Sequence, residues 1–334
     1  NPTDGQKSNL LNVPSLIVKS GPLADIVKER EHYRRLPNRA RGFFVRIPRQ
    51  TSYTNKKRHG YVIMEDLRDF YTLFETFDSL LKPTESPLNR LLGQFLIDMH
   101  RGDDGAVRRG TVNHVRELYL LPMLRHIEFI AHHVQMIEAA LGERVSDFDD
   151  LEQNLNRLIG AIMSQSHRLI GFPLMLMHGD LHSRNIMIRL VPGDRSTGRK
   201  TDLRFKLIDL ENLRADGDAA HDAGQLLVDL RLLPTSSRKN PSRAIMEKLE
   251  QLQADLHDRY LAFAQEYDDI TFPLRLDLAQ ARALLRIAKG QTKRSERYLK
   301  ERDFTRARND ATEIRHLVEG ACAFLEQVAE ALQP

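Results

Sequence analysis

Between residues 174 and 210 a chain that is otherwise helical in pattern changes its period. Residues 174–177, 186–190 and 205–210 are short apolar runs of strand length. Residues 68–81, 86–101, 111–141 and 146–170 before them repeat their apolar side chains at helical spacing, as does the chain from Ala219 onward. The last two strands flank VPGDRSTGRKTD, a polar stretch suited to a hairpin tip. Pro83 and Gly110 fall between helical segments, breaks are expected near Pro234, Pro241 and Pro273, and Ser146 is expected as an N-cap. The front has a second strand-rich stretch. A strand is expected over 10–19, then a helix over 23–36 with Ile26, Tyr33 and Leu36 on one face. Two further strands, 43–47 and 61–64, are joined by the basic loop RQTSYTNKKRHG. The pattern predicts an α+β chain: a small β-rich unit with one helix over 1–66, and a large helical unit with a few central strands over 67–334.

Composition narrows the classes. A chain of 334 residues, 41% apolar, has material for two domains or two lobes. The single cysteine, Cys322, excludes an internal disulfide and a zinc cluster, which places the chain in a reducing, cytoplasmic setting. The longest apolar run, 169–177, contains Gly171 and Pro173 and is too short for a membrane span, so no membrane partner is expected. Asn1 is not a methionine and no secretory leader opens the chain. The net charge of +4 conceals two basic zones. Residues 19–58 hold 12 basic and 3 acidic side chains, and residues 282–308 hold 10 and 3.

The central strands enclose Met177-His178-Gly179-Asp180-Leu181-His182-Ser183-Arg184-Asn185-Ile186. A His-x-Asp followed five residues later by Asn sits between two strands, and Asp209 closes the next strand in LIDLE. These residue types suit phosphoryl transfer, which requires positioning and charge neutralisation more than covalent chemistry. One carboxylate can meet an acceptor hydroxyl, a second can hold Mg²⁺ between phosphates, and an amide can complete the metal shell. Asp, Asn, Gly and His also favour ordinary turns, which is the competing reading.

HGDLHSRNIMI followed by LIDLEN resembles the catalytic loop and metal-binding strand of the aminoglycoside phosphotransferase and choline kinase-like families of the protein-kinase-like fold. The resemblance implies a bilobal architecture with a small antiparallel β lobe, N-terminally incomplete here, and a mainly helical C-lobe. It implies ATP and Mg²⁺ as cofactors, Asp180 as catalytic base, His178 as the loop's buttress, and Asn185 and Asp209 as magnesium ligands. His182 stands where protein kinases usually carry Lys, as in the small-molecule branch. Asp222 lies only 13 positions after Asp209 and no Ala-Pro-Glu follows, which leaves little room for an activation loop. Asp222 is similar to the family's helical Asp that ties back to the catalytic loop; a plain first-turn acid is the equal alternative.

The small lobe should then hold the nucleotide. Lys19 on its strand would fix phosphates through a helical Glu, either Glu29 or Glu31, and RE-H-Y matches the family pattern better at Glu31. Gly5 to Asn9, with Ser8, stands where the phosphate-covering turn would fall; a flexible terminus is the alternative, and the strand before that turn would be missing. Tyr61 to Leu67 resembles the hinge, so Met64 would abut adenine and the backbones of Glu65 and Leu67 would meet its edge. The implied acceptor is a small-molecule hydroxyl, with a protein acceptor as the alternative. VKSGPLADIVKEREHY is also similar to kinase-like domains of bacterial signalling and conflict systems, which keeps open a nucleotide-binding regulatory module or a protein kinase.

Other features carry less. His126, His132 and His133 have no further ligands at metal spacing and read as ordinary core or surface histidines. Arg282, Arg286, Lys289, Lys293, Arg297 and Lys300 align on one helical face. A solvated surface is the reading we favour. An anion site is the sharper one, and it would repel a polycationic aminoglycoside. A nucleic-acid interface is disfavoured because no aromatics interleave the cations.

Overall fold

The computed structural model describes residues 16–47, 53–54, 59–80, 88–101, 108–142, 148–192, 201–236 and 242–333. The segment holding Gly5, Ser8 and Asn9, and the N-cap expected at Ser146, lie outside the described residues. In chain order the elements are β1 (Leu16–Pro22), α1 (Leu23–Arg35), β2 (Tyr53–Thr54), β3 (His59–Glu65), β4 (Tyr71–Thr72), α2 (Leu73–Leu80), α3 (Leu88–Arg101), α4 (Val112–Val115), α5 (Leu121–Leu141) and α6 (Phe148–Ser164). Then follow β5 (Met175–Met177), β6 (Ile186–Pro192), β7 (Thr201–Leu207), β8 (Arg214–Gly217), α7 (Ala219–Ser236), α8 (Arg243–Gln265), α9 (Phe272–Lys300) and α10 (Phe304–Ala331). The chain is α+β, as its pattern implies. Among the described residues no helix is long and apolar enough to cross a membrane.

Two compact units divide the chain, one of residues 1–104 with 183–213 and one of 105–182 with 214–334. In the first, β1 and β2 flank β3 in an antiparallel sheet, and β4, β6 and β7 form a second. The β6–β7 hairpin expected around the polar tip is present, with Ile186 opposite Leu207. Two expectations fail here. Residues 43–47 make no strand: a 3₁₀ turn covers Ala40–Phe43, and Phe44 forms an isolated bridge to Leu207. The apolar run there is a buried connector, with Val45 donating to the Leu207 carbonyl at 2.9 Å. Nor is 68–81 one helix. Thr72 and Glu75 cap each other, Glu75 N–H to Thr72 Oγ1 at 3.1 Å and Thr72 N–H to Glu75 Oε2 at 3.0 Å, and this reciprocal cap sets where α2 begins.

The second unit is built around a helical core from α5, α6, α7, α9 and α10. At Gly224 a methyl group would stand 2.5 Å from Ala279 Cβ, so the missing side chain lets α7 and α9 approach closely. Arg275, fully buried on α9, is held by Asp218 and Asp269 at 2.6 Å each. Tyr119 donates to the same Asp218 at 2.7 Å. This network fixes α9 against the start of α7. The break expected near Pro234 falls just beyond it, where α7 ends at Ser236, and Pro273 lies in the first turn of α9.

Candidate active site

The loop after β5 is set by its own backbone. His178 is buried, and Gly179 has φ of 81°, a conformation glycine adopts without strain. Both residues donate their N–H groups to one carboxylate: His178 to Asp222 Oδ2 at 2.6 Å and Gly179 to Asp222 Oδ1 at 2.9 Å. Asp222 thus clamps the loop from the first turn of α7, and the plain first-turn acid is not its role. Burial pushes Asp222 up to about 7 against the pull of those two N–H donors. His178 Nδ1 accepts the Asp180 N–H at 3.3 Å, so the imidazole braces the turn that presents Asp180.

Asp180 Oδ1 accepts from Gln225 Nε2 at 2.6 Å and from Arg286 Nη1, and His182 Nε2 stands at 3.8 Å. Burial acts to raise its pKa, but the Arg286 guanidinium, then His182 and the two hydrogen bonds hold the carboxyl below its usual range. Arg282 contacts His221 Nε2, and burial, then the Arg282 guanidinium, draws the buried His221 well below its ordinary pKa. Arg282 is therefore drawn into the site, and Arg286, though part-exposed, is engaged by Asp180, which corrects the plain solvated-face reading at these two positions. The residues around them, Ala281, Ala283, Leu284, Leu285 and Ala288, are all buried. A run that is apolar all round marks an inward helix, and that signal was present in ALLRIA. Further along α9, Lys293, Arg297 and Lys300 are exposed, as the solvated reading expects.

In the other unit Lys19 bridges two carboxylates. Its Nζ lies 2.9 Å from Glu29 Oε2 and 2.9 Å from Asp209 Oδ1. Burial acts to lower the Lys19 pKa, but the two carboxylates raise it above the ordinary value. The partner is Glu29, not Glu31, and helix geometry gives the reason. Residue 29 lies one turn from buried Ile26, on the same face of α1, whereas residue 31 lies around the helix. Glu31 instead pairs with Arg30 at 3.1 Å and Arg34 at 3.2 Å. Glu29 Oε1 also accepts the Leu210 N–H at 3.4 Å, and His32 Nδ1 meets the Leu210 carbonyl at 2.8 Å. Asp209 is left-handed at φ 66°, ψ 69°, just beyond β7. Ile208 donates to the Asn185 carbonyl at 3.1 Å, which sets Asn185 and Asp209 at the same end of the β6–β7 hairpin.

On the expected hinge, Met64 faces Ile17 across the β1–β3 register. Glu65 donates its N–H to the Arg46 carbonyl at 2.9 Å, so a base can meet its backbone only through the carbonyl. Leu67 accepts from the Phe70 N–H at 2.7 Å, and its own N–H is the donor it has to offer. Glu65, Asp66 and Leu67 border a cleft of about 670 Å³ walled by Phe43, Phe70, Phe95 and Phe205. Among the described residues no cluster of three His, Cys, Asp or Glu side chains could hold a metal alone, and His126, His132 and His133 form no such site.

No protein-family model matches the chain, and no curated protein sequence does. Solved structures do, and they place the chain in the protein-kinase-like fold. It is similar to a Plasmodium vivax ethanolamine kinase, with TM-score 0.54 and 11% identity over 94% of this chain and 77% of that one. It is similar to a glucosamine kinase in complex with glucosamine, ADP and inorganic phosphate, with TM-score 0.51 and 15% identity over 93% and 76%. The apo form of a thermostable mutant of an aminoglycoside phosphotransferase gives TM-score 0.50 and 14% identity over 92% and 88%.

Proposed function

We propose that the chain is an ATP- and Mg²⁺-dependent phosphotransferase of the cytoplasm that moves the γ-phosphoryl group to a hydroxyl of a small molecule. The observation that carries this reading is Lys19 held at 2.9 Å from both Glu29 and Asp209. A strand Lys tied to a helical Glu is the device by which kinase-like proteins hold nucleotide phosphates. The likeness to a kinase that holds ADP and inorganic phosphate supports a nucleotide on the same grounds. Residues 1–66 would serve the nucleotide, with the Met64, Glu65 and Leu67 segment against the base and Ser8 near the phosphates. Residues 67–334 would carry the catalytic loop and the acceptor.

In this reading Asp180 receives the acceptor's hydroxyl proton at a carboxylate oxygen. Asp222 and His178 hold the loop so that Asp180 needs no reorganisation when the proton moves. Lys19 Nζ neutralises phosphate charge. Asp209 keeps Oδ2 beyond its pair with Lys19, and Asn185 brings an amide oxygen to the same hairpin end. Two hard oxygen donors with few protein ligands suit magnesium, which takes the rest of its shell from water and phosphate. When bound, the metal neutralises charge that develops on the transferring phosphoryl group.

The test is Mg-ATP-dependent transfer to a confirmed acceptor. Asp180→Asn and Asp209→Ala should each lower kcat by about a hundredfold or more; undiminished transfer by both would sink the mechanism. A second reading, a nucleotide-holding regulatory module or a protein kinase of a signalling or conflict system, draws on the Arg286 pairing with Asp180. It expects ATP binding with no turnover on small hydroxyl compounds.

A further inference from the structure

α9 brings more positive charge to the catalytic loop than the carboxylates there absorb. Asp222 is engaged by the His178 and Gly179 N–H groups, and Asp218 by Arg275 and Tyr119. That leaves Asp180, whose Oδ1 Arg286 already shares with Gln225. Behind Arg286 stands Arg282, drawn down to about 10 by burial and then by the Arg286 guanidinium. His126 is pushed to about 3 by burial, then by Lys289, Arg282, Arg286 and Arg125. Burial leads both shifts, and the cations that come next in each mark a positive field along this side of α9.

Unmatched polar atoms occupy the same place. Arg282 Nε, both ring nitrogens of His126 and Gln225 Oε1 are buried without a hydrogen-bond partner. Gln225 and Arg282 lie at Asp180 and His126 lies beside Arg282 and Arg286, and buried polar groups left without partners in that neighbourhood point to a ligand rather than to packing. Arg286 is 36% exposed and so within reach of a solute. Lys289 and Lys293 continue the series, their ammonium groups 5.0 and 5.6 Å from the centre of the Phe129 ring.

We propose that the acceptor is an alcohol that also carries a carboxylate or a phosphate, and that Arg286, backed by Arg282, binds that anion. The inference rests on the phosphotransferase reading and names its substrate class. An oxyanion is a two-point partner for a guanidinium and competes with Asp180 for Arg286. Once Arg286 turns to it, Asp180 recovers the basicity that the pair suppresses. The acceptor oxygen then forms a bond to the γ-phosphorus of ATP, and the bond from that phosphorus to the β–γ bridging oxygen breaks. Its electron pair leaves on ADP, and the hydroxyl proton passes to Asp180 and on to solvent. An acceptor bearing an ammonium group would face Arg282, Arg286 and Lys289, which select against it.

Titration calorimetry of the full chain without nucleotide, using glycerol 3-phosphate, glycerate, glycerol and ethanolamine, tests the site. At least one of the two anions should bind and the other two compounds should not; which anion binds separates a phosphate site from a carboxylate site. Arg286→Gln should weaken anion binding by about tenfold or more, Arg286→Lys should recover part of it, and Mg-ATP affinity should stay unchanged in both. If neither anion binds, if ethanolamine binds as tightly, or if Arg286→Gln binds like the wild type, the inference is overturned. ATP turnover reads the underlying function separately. Anion binding with no phosphoryl transfer removes the phosphotransferase reading and keeps the anion site; transfer to glycerol or ethanolamine at an equal kcat/KM does the reverse.

Discussion

Asp222 accepts the backbone N–H of His178 at 2.6 Å, and its other oxygen takes the N–H of Gly179. One side chain on α7 therefore satisfies two consecutive backbone donors of the loop. Asp222→Ala would take this carboxylate from one buried and one part-buried N–H group, which should destabilise the fold by about 1–3 kcal/mol, partly offset by removal of a buried charge. Chemical denaturation measures the loss. Phosphoryl transfer should fall more than stability does, because the loop carries Asp180. A variant that unfolds earlier yet keeps full kcat would show that the clamp serves stability alone.

Glu29 and Glu31 differ by two positions and by everything that matters to Lys19. Glu29 is 1% exposed and paired with Lys19; Glu31 pairs with its own helix's arginines. Under the proposed function, Glu29→Gln should weaken Mg-ATP binding by about tenfold, since it releases the ammonium proposed to meet the phosphates. Glu31→Gln should bind ATP like the wild type. Calorimetric titration of the two variants side by side decides it, and the reverse order would restore Glu31 as the phosphate-side residue.

That pair also shows where sequence reading succeeds and stops. The strand–loop–strand around His178, Asp180 and Asn185 is legible because short apolar runs and turn residues are local signals. The choice between Glu29 and Glu31 was legible too, since Ile26 fixes the buried face of α1, but the motif match pointed the other way. Arg282 and Arg286 are a harder case. Their contacts with His221 and Asp180 span 61 and 106 residues, and no local pattern states which carboxylate a cation will find. What the sequence did carry was the apolar run around them, which marks the helix as inward. The missing strand over 43–47 has the same origin: an apolar stretch was buried as a connector because its partner, Leu207, is far along the chain.

His126 makes acid stability testable. Its pKa is about 3 in the folded chain, chiefly through burial and then through Lys289 and its neighbouring arginines. An unfolded histidine titrates near 6.5. Above that value both states are neutral and pH has no effect. As pH falls through 6.5 the unfolded chain takes up a proton that the folded chain refuses, so stability declines progressively toward pH 3. His126→Gln should remove this component, which amounts to about 2 kcal/mol between pH 6.5 and 4.5 after allowance for partial exposure. Denaturant midpoints at pH 7.5 and 4.5 for both proteins give the comparison; equal acid losses would show that His126 is not the group responsible.

Arg275 should be the most destructive single charge to remove from this fold. It is fully buried between Asp218 and Asp269, with its guanidinium 4.0 Å from the Phe172 ring centre. Arg275→Met keeps volume but leaves two carboxylates buried without a counter-charge, a loss of about 3–5 kcal/mol. The consequence should reach the site, because Arg275 lies two turns before Arg282 on the same helix and Asp218, just before α7, accepts the Ala220 N–H. Asp218→Asn in the same chain should recover part of the stability, since it removes one of the two stranded charges. Thermal unfolding of the two single variants and the double variant reads the coupling. Additive losses would mean that the network does not act as a unit, and that α9 is held in register by its apolar contacts and the close approach of Gly224 to Ala279 instead.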